Sequence, residues 1–127
     1  MILSEGSVED LNAAIQGSIA GPFVLAGGET LIVVANNQAY TFTGTLIGSV
    51  SAADLVADME IAANWGGTKP VIASVIAGTQ RVQIQIDPAV VLGAELDYGY
   101  LKIDAASTLD TIIGVSGENR GQKGSRI

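Results

Sequence analysis

The carboxylates of one predicted helix are the strongest candidates for chemistry in this 127-residue chain. Asp54 and Asp58 are four residues apart and share a helical face, and Glu60 follows them. Carboxylate oxygens bind calcium and magnesium, but the loop spacing of an EF-hand is absent. Two like charges four residues apart also repel each other mildly. We therefore expect a solvated helix face with one Asp near the helix start, and no metal site.

The other reactive residue types lack partners. Glu95 and Asp97 resemble one half of a glycosidase pair, but no second carboxylate is placed opposite them. The serines have no histidine base, and nothing places Lys69 or Lys102 beside one of them, which leaves a Ser–Lys pair open. Neither Gly-rich segment near the C-terminus has the full spacing of a phosphate-binding loop. Because the chain has no cysteine and no histidine, we expect no enzyme activity, catalytic residue, cofactor or bound metal.

Aromatic and basic residues provide candidates for an interface with other molecules. Trp65 lies at the predicted end of a helix, where a lone Trp more often completes a core than anchors a partner. Tyr98 and Tyr100 alternate on one strand face, where they suit a sheet surface, a partner protein or a sugar. The interface candidates are Trp65, Tyr98, Tyr100, Arg120, Lys123, Arg126 and Ile127.

Charge is unevenly distributed along the chain, whose formal net charge is −7. Residues 1–117 carry twelve acidic and three basic side chains, whereas residues 118–127 carry three basic side chains and Glu118. An acidic body does not suit nucleic acid, because binding requires phosphates to be neutralised. The apolar stretches fall short of the ~20 residues that cross a bilayer, and the N-terminus does not resemble a secretory signal. We therefore expect neither a nucleic acid nor a membrane partner.

Three segments place a Ser three residues before an Asp, which is a signal for the start of a helix. In the second of them, Leu55, Val56 and Met59 recur at helical spacing. The Ser side chain is expected to cap each helix by accepting a hydrogen bond from a backbone N–H. The predicted helices are residues 8–16, 52–64 and 108–113, with caps at Ser7, Ser51 and Ser107.

Two predicted hairpins flank the main helix. Asn36-Asn37 separates two β-rich runs, and Asn tolerates a positive φ, which predicts a tight turn. Residues 81–86 alternate polar and apolar side chains, as a half-buried antiparallel strand does. Further strands are predicted at 23–25 and 98–103. We expect an α+β fold in which an antiparallel sheet from two or more hairpins packs on the main helix, with short N- and C-terminal helices and extended termini.

The expected organisation is one structural domain between two terminal segments. It comprises an N-terminal arm and helix (1–21), an α+β structural domain (22–113) and a basic, Gly-rich C-terminal arm (114–127). Because the C-terminal arm has no apolar face, we expect the domain to fold without residues 116–127. Both ends are expected to reach adjacent subunits.

Four segments follow one another along the chain: PFVLAGGETLIVVANNQAYTFTG, SAADLVADMEIAANW, VIASVIAGTQRVQIQI and TLDTIIGV. Their order resembles a small β-rich module of tailed-bacteriophage virion proteins. The pattern is also similar to the insertion motif of flagellar hook-associated proteins. The resemblance covers residues 22–117, departs from the pattern in the linker 66–70, and implies no catalytic residues.

The resemblance implies a non-enzymatic structural component of a phage virion, with copies of itself and other shell or tail proteins as partners. The small size favours a capsid-decorating or cement protein that binds the shell in many copies. A tail or baseplate structural protein remains an alternative. A carbohydrate- or receptor-binding module is another, using one sheet face with Trp65, Tyr98, Tyr100, Asn36, Asn37, Gln83 and Gln85.

Overall fold

The computed structural model describes residues 13–87, 89–90 and 100–120. Within these ranges, the chain forms short antiparallel strands and one main helix. The strands are β1 (Ala14–Gln16), β2 (Phe23–Leu25), β3 (Thr30–Ala35), β4 (Gln38–Thr43), β5 (Gly48–Val50), β6 (Val71–Val75), β7 (Val82–Ile86), β8 (Tyr100–Ile103) and β9 (Glu118–Arg120). The helices are α1 (Ala52–Met59), a 3₁₀ helix (Ala62–Trp65) and α2 (Asp110–Ile113).

The described strands form three antiparallel sheets. Their strand orders are β1-β7-β6, β2-β5 and β4-β3-β8-β9. The predicted α+β class is therefore confirmed, and both predicted hairpins, β3–β4 and β6–β7, are present. The hairpins belong to separate sheets, however, and not to one shared sheet. Alternation within a strand shows which residues are buried, but it does not show which other strand lies alongside.

The turn between β3 and β4 forms as predicted. Asn36 and Asn37 both have a positive φ, 48° and 71°, which matches the twist required by a two-residue hairpin. The register runs from Ala35 opposite Gln38 to Thr30 opposite Thr43. Asn36 also joins β8, because its N–H donates to the Tyr100 carbonyl at 2.9 Å. One turn thus sets the pairing of three strands.

The main helix is shorter than predicted. Ser51 caps α1 by accepting a hydrogen bond from the Asp54 N–H at 3.2 Å. The predicted helix of 52–64 breaks after Met59, and Ile61 is extended before the 3₁₀ helix begins. The Asn64 amide donates to the Asp58 carbonyl at 3.0 Å, so a side chain provides a hydrogen bond that a continuing helix would have made.

Two other helix predictions need correction. Residues 14–16, predicted as helix, form β1, in which Ile15 is buried between less buried neighbours. Ser107 does not cap α2, whose cap position is Leu109. Ser107 is buried, and its hydroxyl oxygen instead accepts from the Ile32 N–H at 2.8 Å.

The predicted C-terminal arm begins inside the folded body. Val115 is buried, and β9 pairs with β8 in the four-stranded sheet. Asn119 of β9 also accepts a hydrogen bond from the Ala14 N–H at 3.0 Å, which joins this sheet to β1. Residues 114–120 are therefore not an extended arm. Residues 121–127, like Ser7 and most of the first predicted helix, lie outside the described residues.

The core lies between α1 and the sheets. Leu55 and Met59 of α1 are buried together with apolar residues from both hairpins, and Val56 packs against them. The largest fully buried side chains include Phe42, Leu31, Leu55, Met59, Ile84 and Ile86. In the described part of the chain, no helix has the length and apolar character needed to cross a membrane.

Candidate interaction surface

A groove of about 690 Å³ runs between β4 and the 3₁₀ helix. We call it the β4 groove. Ala39, Thr41 and Thr43 line the β4 side, and Asn64 and Gly66 line the opposite side. Tyr40, Thr45 and Thr68 are among the other lining residues. The described lining contains no charged side chain, so the groove offers hydroxyl, amide and backbone groups to a partner.

A buried carboxylate positions the two walls of this groove. Asp58, which is 4% exposed, accepts from the Thr45 N–H at 2.9 Å and from the Thr45 hydroxyl at 2.7 Å. It also accepts from the Asn64 amide at 2.8 Å. Because Thr45 follows β4 and Asn64 belongs to the 3₁₀ helix, one side chain ties both walls to α1. The expected solvated role is therefore wrong for Asp58.

Trp65 forms part of the core and not an exposed anchor. Its side chain is 4% exposed, and its indole N–H donates to the Met59 carbonyl at 2.8 Å. Its ring lies 5.5 Å from that of Phe42 between centroids, with a 46° angle between the planes. Such a tilted pair is a favourable packing arrangement for aromatic rings. Because little of its surface is available to a partner, Trp65 has the core role that its sequence position favoured, and not the alternative role of an interface anchor.

The backbone of β4 is paired on one side only within the described chain. The Ile32 carbonyl accepts from the Asp104 N–H, and the Asn36 N–H donates to the Tyr100 carbonyl. The backbone N–H and C=O groups of the even-numbered residues of β3 therefore point toward β8. The odd-numbered residues of β3 therefore bond to Gln38, Tyr40 and Phe42, which lie opposite them. The N–H and C=O groups of the intervening β4 residues consequently point away from the sheet.

Those intervening residues are Ala39, Thr41 and Thr43, and their side chains are exposed. These surface residues are not among the interface candidates expected from the sequence. A signal was present, since residues 38–43 contain no charged residue and no proline, the two usual means of protecting a strand edge. Which strand lies at an edge, however, follows only from the strand order.

The structure brings together two of the predicted interface residues. Tyr100 begins β8 and lies opposite Arg120 of β9 in the strand register. The backbone N–H of Tyr100 donates to the Asn36 side-chain oxygen at 2.8 Å. Tyr98, Lys123, Arg126 and Ile127 lie outside the described residues.

The single sheet face expected for a carbohydrate site is not formed. Asn36 and Tyr100 belong to the four-stranded sheet, whereas Gln83 and Gln85 lie on β7 of the three-stranded sheet. Gln83 is engaged within its own sheet, where it accepts from the Gln16 amide at 3.0 Å. The residues proposed to act together are thus distributed over two sheets.

The remaining candidates for chemistry have structural contacts. Glu60 accepts from the Ala73 N–H at 2.8 Å and forms an ion pair with Lys69 at 3.2 Å. Lys69 also donates to the Val71 carbonyl at 2.8 Å. Within the ranges that the structure describes, no three carboxylates converge as a metal site would require. Glu95 and Asp97 lie outside those ranges.

A second groove, of about 480 Å³, lies between β5 and α1. Ile47 and Ile61 line it, together with Asp54. Ile47 is 76% exposed, and Val24 on the adjacent β2 is 79% exposed. This surface therefore combines exposed apolar side chains with two carboxylates, the exposed Asp54 and the buried Asp58.

Comparisons with models of protein families, with characterised proteins and with solved structures found no match. We therefore infer function from the sequence resemblance and from the geometry of the residues.

Proposed function

We propose that this protein is a non-enzymatic structural component of a tailed-phage virion, and specifically a capsid-decorating or cement protein. Its partners are copies of itself and the shell proteins, and its location is the virion. The main support is the module that the sequence resembles, because hairpin β3–β4, helix α1 and hairpin β6–β7 follow one another in the expected order. The proposal includes neither a nucleic acid partner nor a membrane.

The use of the polar residues supports a structural role. Asp58 and Glu60, the carboxylates most suited to chemistry, each accept hydrogen bonds that connect separate elements. Among the described residues, no buried side-chain nitrogen or oxygen lacks a hydrogen-bond partner. A reacting group must be accessible to substrate, whereas Asp58 is buried. Glu60 is exposed, but the Ala73 N–H and Lys69 engage its carboxylate.

The surface also suits contacts with other proteins. The β4 groove is open and uncharged, and Val24 and Ile47 expose apolar side chains on another part of the molecule. Exposed apolar surface rimmed by polar groups is typical of interaction sites. A decorating protein needs such surfaces toward its neighbours and needs no cavity that encloses a small substrate.

Mass spectrometry of purified particles tests the proposal. Heads and tails are separated, and the amount of this chain is measured relative to the major shell protein. A fixed stoichiometry of many copies in the head fraction supports a decorating protein. Enrichment in the tail fraction would replace it with the tail or baseplate alternative. Absence of the chain from both fractions would overturn the virion role.

A carbohydrate- or receptor-binding module is the second candidate. The observation that favours it is the set of hydroxyl and amide groups around half-buried Tyr40 in the β4 groove. A glycan array separates the two candidates, because a decorating protein should give no saturable signal. If a glycan binds, Asn64→Ala should reduce that binding more than Ser74→Ala, whose residue lies on β6 outside the groove.

A further inference from the structure

The outer edge of β4 differs from the other sheet edges of the described chain. β4 has six residues, whereas β1, β2, β5 and β9 have three each. Edge strand β6 is longer than those three-residue strands, but its Ala73 N–H is bound by the Glu60 carboxylate at 2.8 Å. On β1, the Ala14 N–H is likewise bound by Asn119. The edge of β4 is therefore long, and it is open within the described residues. No strand pairs with it there, and no side chain binds its outward backbone groups.

Exposed strand edges of this kind pair with other chains unless something prevents it. Lysine, proline, bulges and inward-pointing charges are the usual protection. β4 contains none of these residue types, and the described lining of its groove is uncharged. Thr and aromatic residues, which favour strands, make up much of its sequence. The edge is therefore suited to receiving another strand.

We propose that the β4 edge pairs with the β4 edge of a second copy of this chain, in antiparallel orientation about a two-fold axis at Thr41. Thr41 then lies opposite Thr41 of the second copy, and Ala39 lies opposite Thr43. All three positions direct their backbone groups outward, so this register matches donors with acceptors along the whole edge. It forms about six hydrogen bonds between the copies.

The side chains fit this register. A two-fold axis perpendicular to the sheet keeps the exposed side chains of both strands on the same face. Ala39, Thr41 and Thr43 are small, and two Thr side chains directly opposite each other form a favourable cross-strand pair. The two four-stranded sheets would join into one continuous sheet, a common form of symmetric association in which the same patch is used twice.

Charge does not prevent a second copy from pairing at this edge. Each chain carries a formal net charge of −7, so two copies repel each other over much of their surfaces. Approach through the uncharged β4 groove avoids placing carboxylates directly opposite one another. The inference depends on the strand edge alone, and it stands whether or not the chain is a virion component.

Single-cysteine variants test the register, because the natural chain has no cysteine. Directly opposed residues of this type have Cα atoms about 5.5 Å apart, within the range of a disulfide. Thr41→Cys should therefore form a covalent dimer rapidly under mild oxidation. Thr43→Cys is the matched control on the same strand and face. Its two copies would be about 14 Å apart, which is too far for a disulfide.

The complementary pair provides a second readout. A mixture of Ala39→Cys and Thr43→Cys should give mixed dimers faster than either variant gives dimers alone. Equal rates of oxidation at positions 41 and 43, measured on variants with unchanged circular dichroism, would overturn the proposal.

Sedimentation velocity tests the association itself on the unmodified chain. A dimer should increase with protein concentration. Thr41→Pro removes the central outward N–H while leaving the ladder to β3 intact, and should raise the dimer Kd at least about tenfold. Thr41→Val keeps the N–H and should dimerise like the natural chain. A natural chain that stays monomeric at millimolar concentration, or a Thr41→Pro variant that dimerises equally well, would refute pairing at this edge.

Discussion

The Asp58 carboxylate accepts a 2.7 Å hydrogen bond from the hydroxyl of Thr45, and the same carboxylate binds the backbone N–H of that residue. Thr45 lies after β4 and Asp58 lies in the last turn of α1, so this contact connects the hairpin to the helix. Asp58 is buried, so water cannot take the place of its carboxylate oxygens. Removing one of these acceptors therefore leaves the donor that faces it unpaired.

We predict that Asp58→Asn destabilises the protein by about 1–3 kcal/mol. The substitution keeps the shape but replaces one acceptor oxygen with a donor amide, which then faces the N–H groups of Thr45 or Asn64. Urea unfolding followed by circular dichroism measures the change. Asp54→Asn, on the exposed side of the same helix, is the matched control and should have a markedly smaller effect.

Leu55→Ala should cost about 2–5 kcal/mol, as expected for a cavity in a packed core. Leu55 is 1% exposed and lies in the same buried cluster as Met59 and Phe42. Val24→Ala, at a residue that is 79% exposed, should change stability by under about 0.5 kcal/mol. Chemical denaturation of both variants checks the difference, and a Leu55→Ala loss as small as that of Val24→Ala would contradict the observed packing.

In the β3–β4 turn, Asn37→Val should destabilise by about 1–2 kcal/mol, whereas Asn37→Gly should be neutral or stabilising. Asn37 has φ 71°, which a β-branched residue adopts only with strain. Thermal unfolding of the two variants should give a clearly lower midpoint for Asn37→Val. Similar midpoints would show that the turn can adopt another conformation at little cost.

Two truncations test the part of the C-terminal segment that the structure describes. Deleting 121–127 leaves every described contact in place and serves as the reference truncation. Deleting 116–127 removes β9, the Gly117 carbonyl that accepts from Ile103, and the Asn119 bond to Ala14. The longer deletion should therefore lower stability strongly or prevent folding. This reverses the expectation from sequence that residues 116–127 are dispensable, and equal stability of the two truncated chains would restore it.

Local signals in the sequence predicted local structure well. The Asn36-Asn37 turn and the Ser51 cap appear where expected, because each depends on residues adjacent in the chain. Residues 14–16 were misassigned because Ile15 fits either a helix face or a strand, and pairing with the distant β7 decides between them.

The candidate surface was not predictable in the same way. Trp65 is buried because Phe42 lies beside it, and Asp58 is buried because Thr45 and Asn64 surround it. These neighbours are brought together by folding and are not evident from spacing. The edge of β4 is likewise exposed because β8 pairs with the other side of β3, and the sequence pattern does not show this pairing.

The position of β3 in its sheet has a consequence for how the chain folds. β3 pairs with β4 after a two-residue turn, but its other neighbour, β8, follows far along the sequence, with Val33 opposite Ile103. Such distant contacts slow folding, because a long loop must close before they contribute stability. During synthesis, the β3–β4 hairpin is therefore complete well before β8 leaves the ribosome. For that interval both edges of the hairpin are open, so we expect yields of soluble protein to depend on expression temperature and on the concentration of nascent chains.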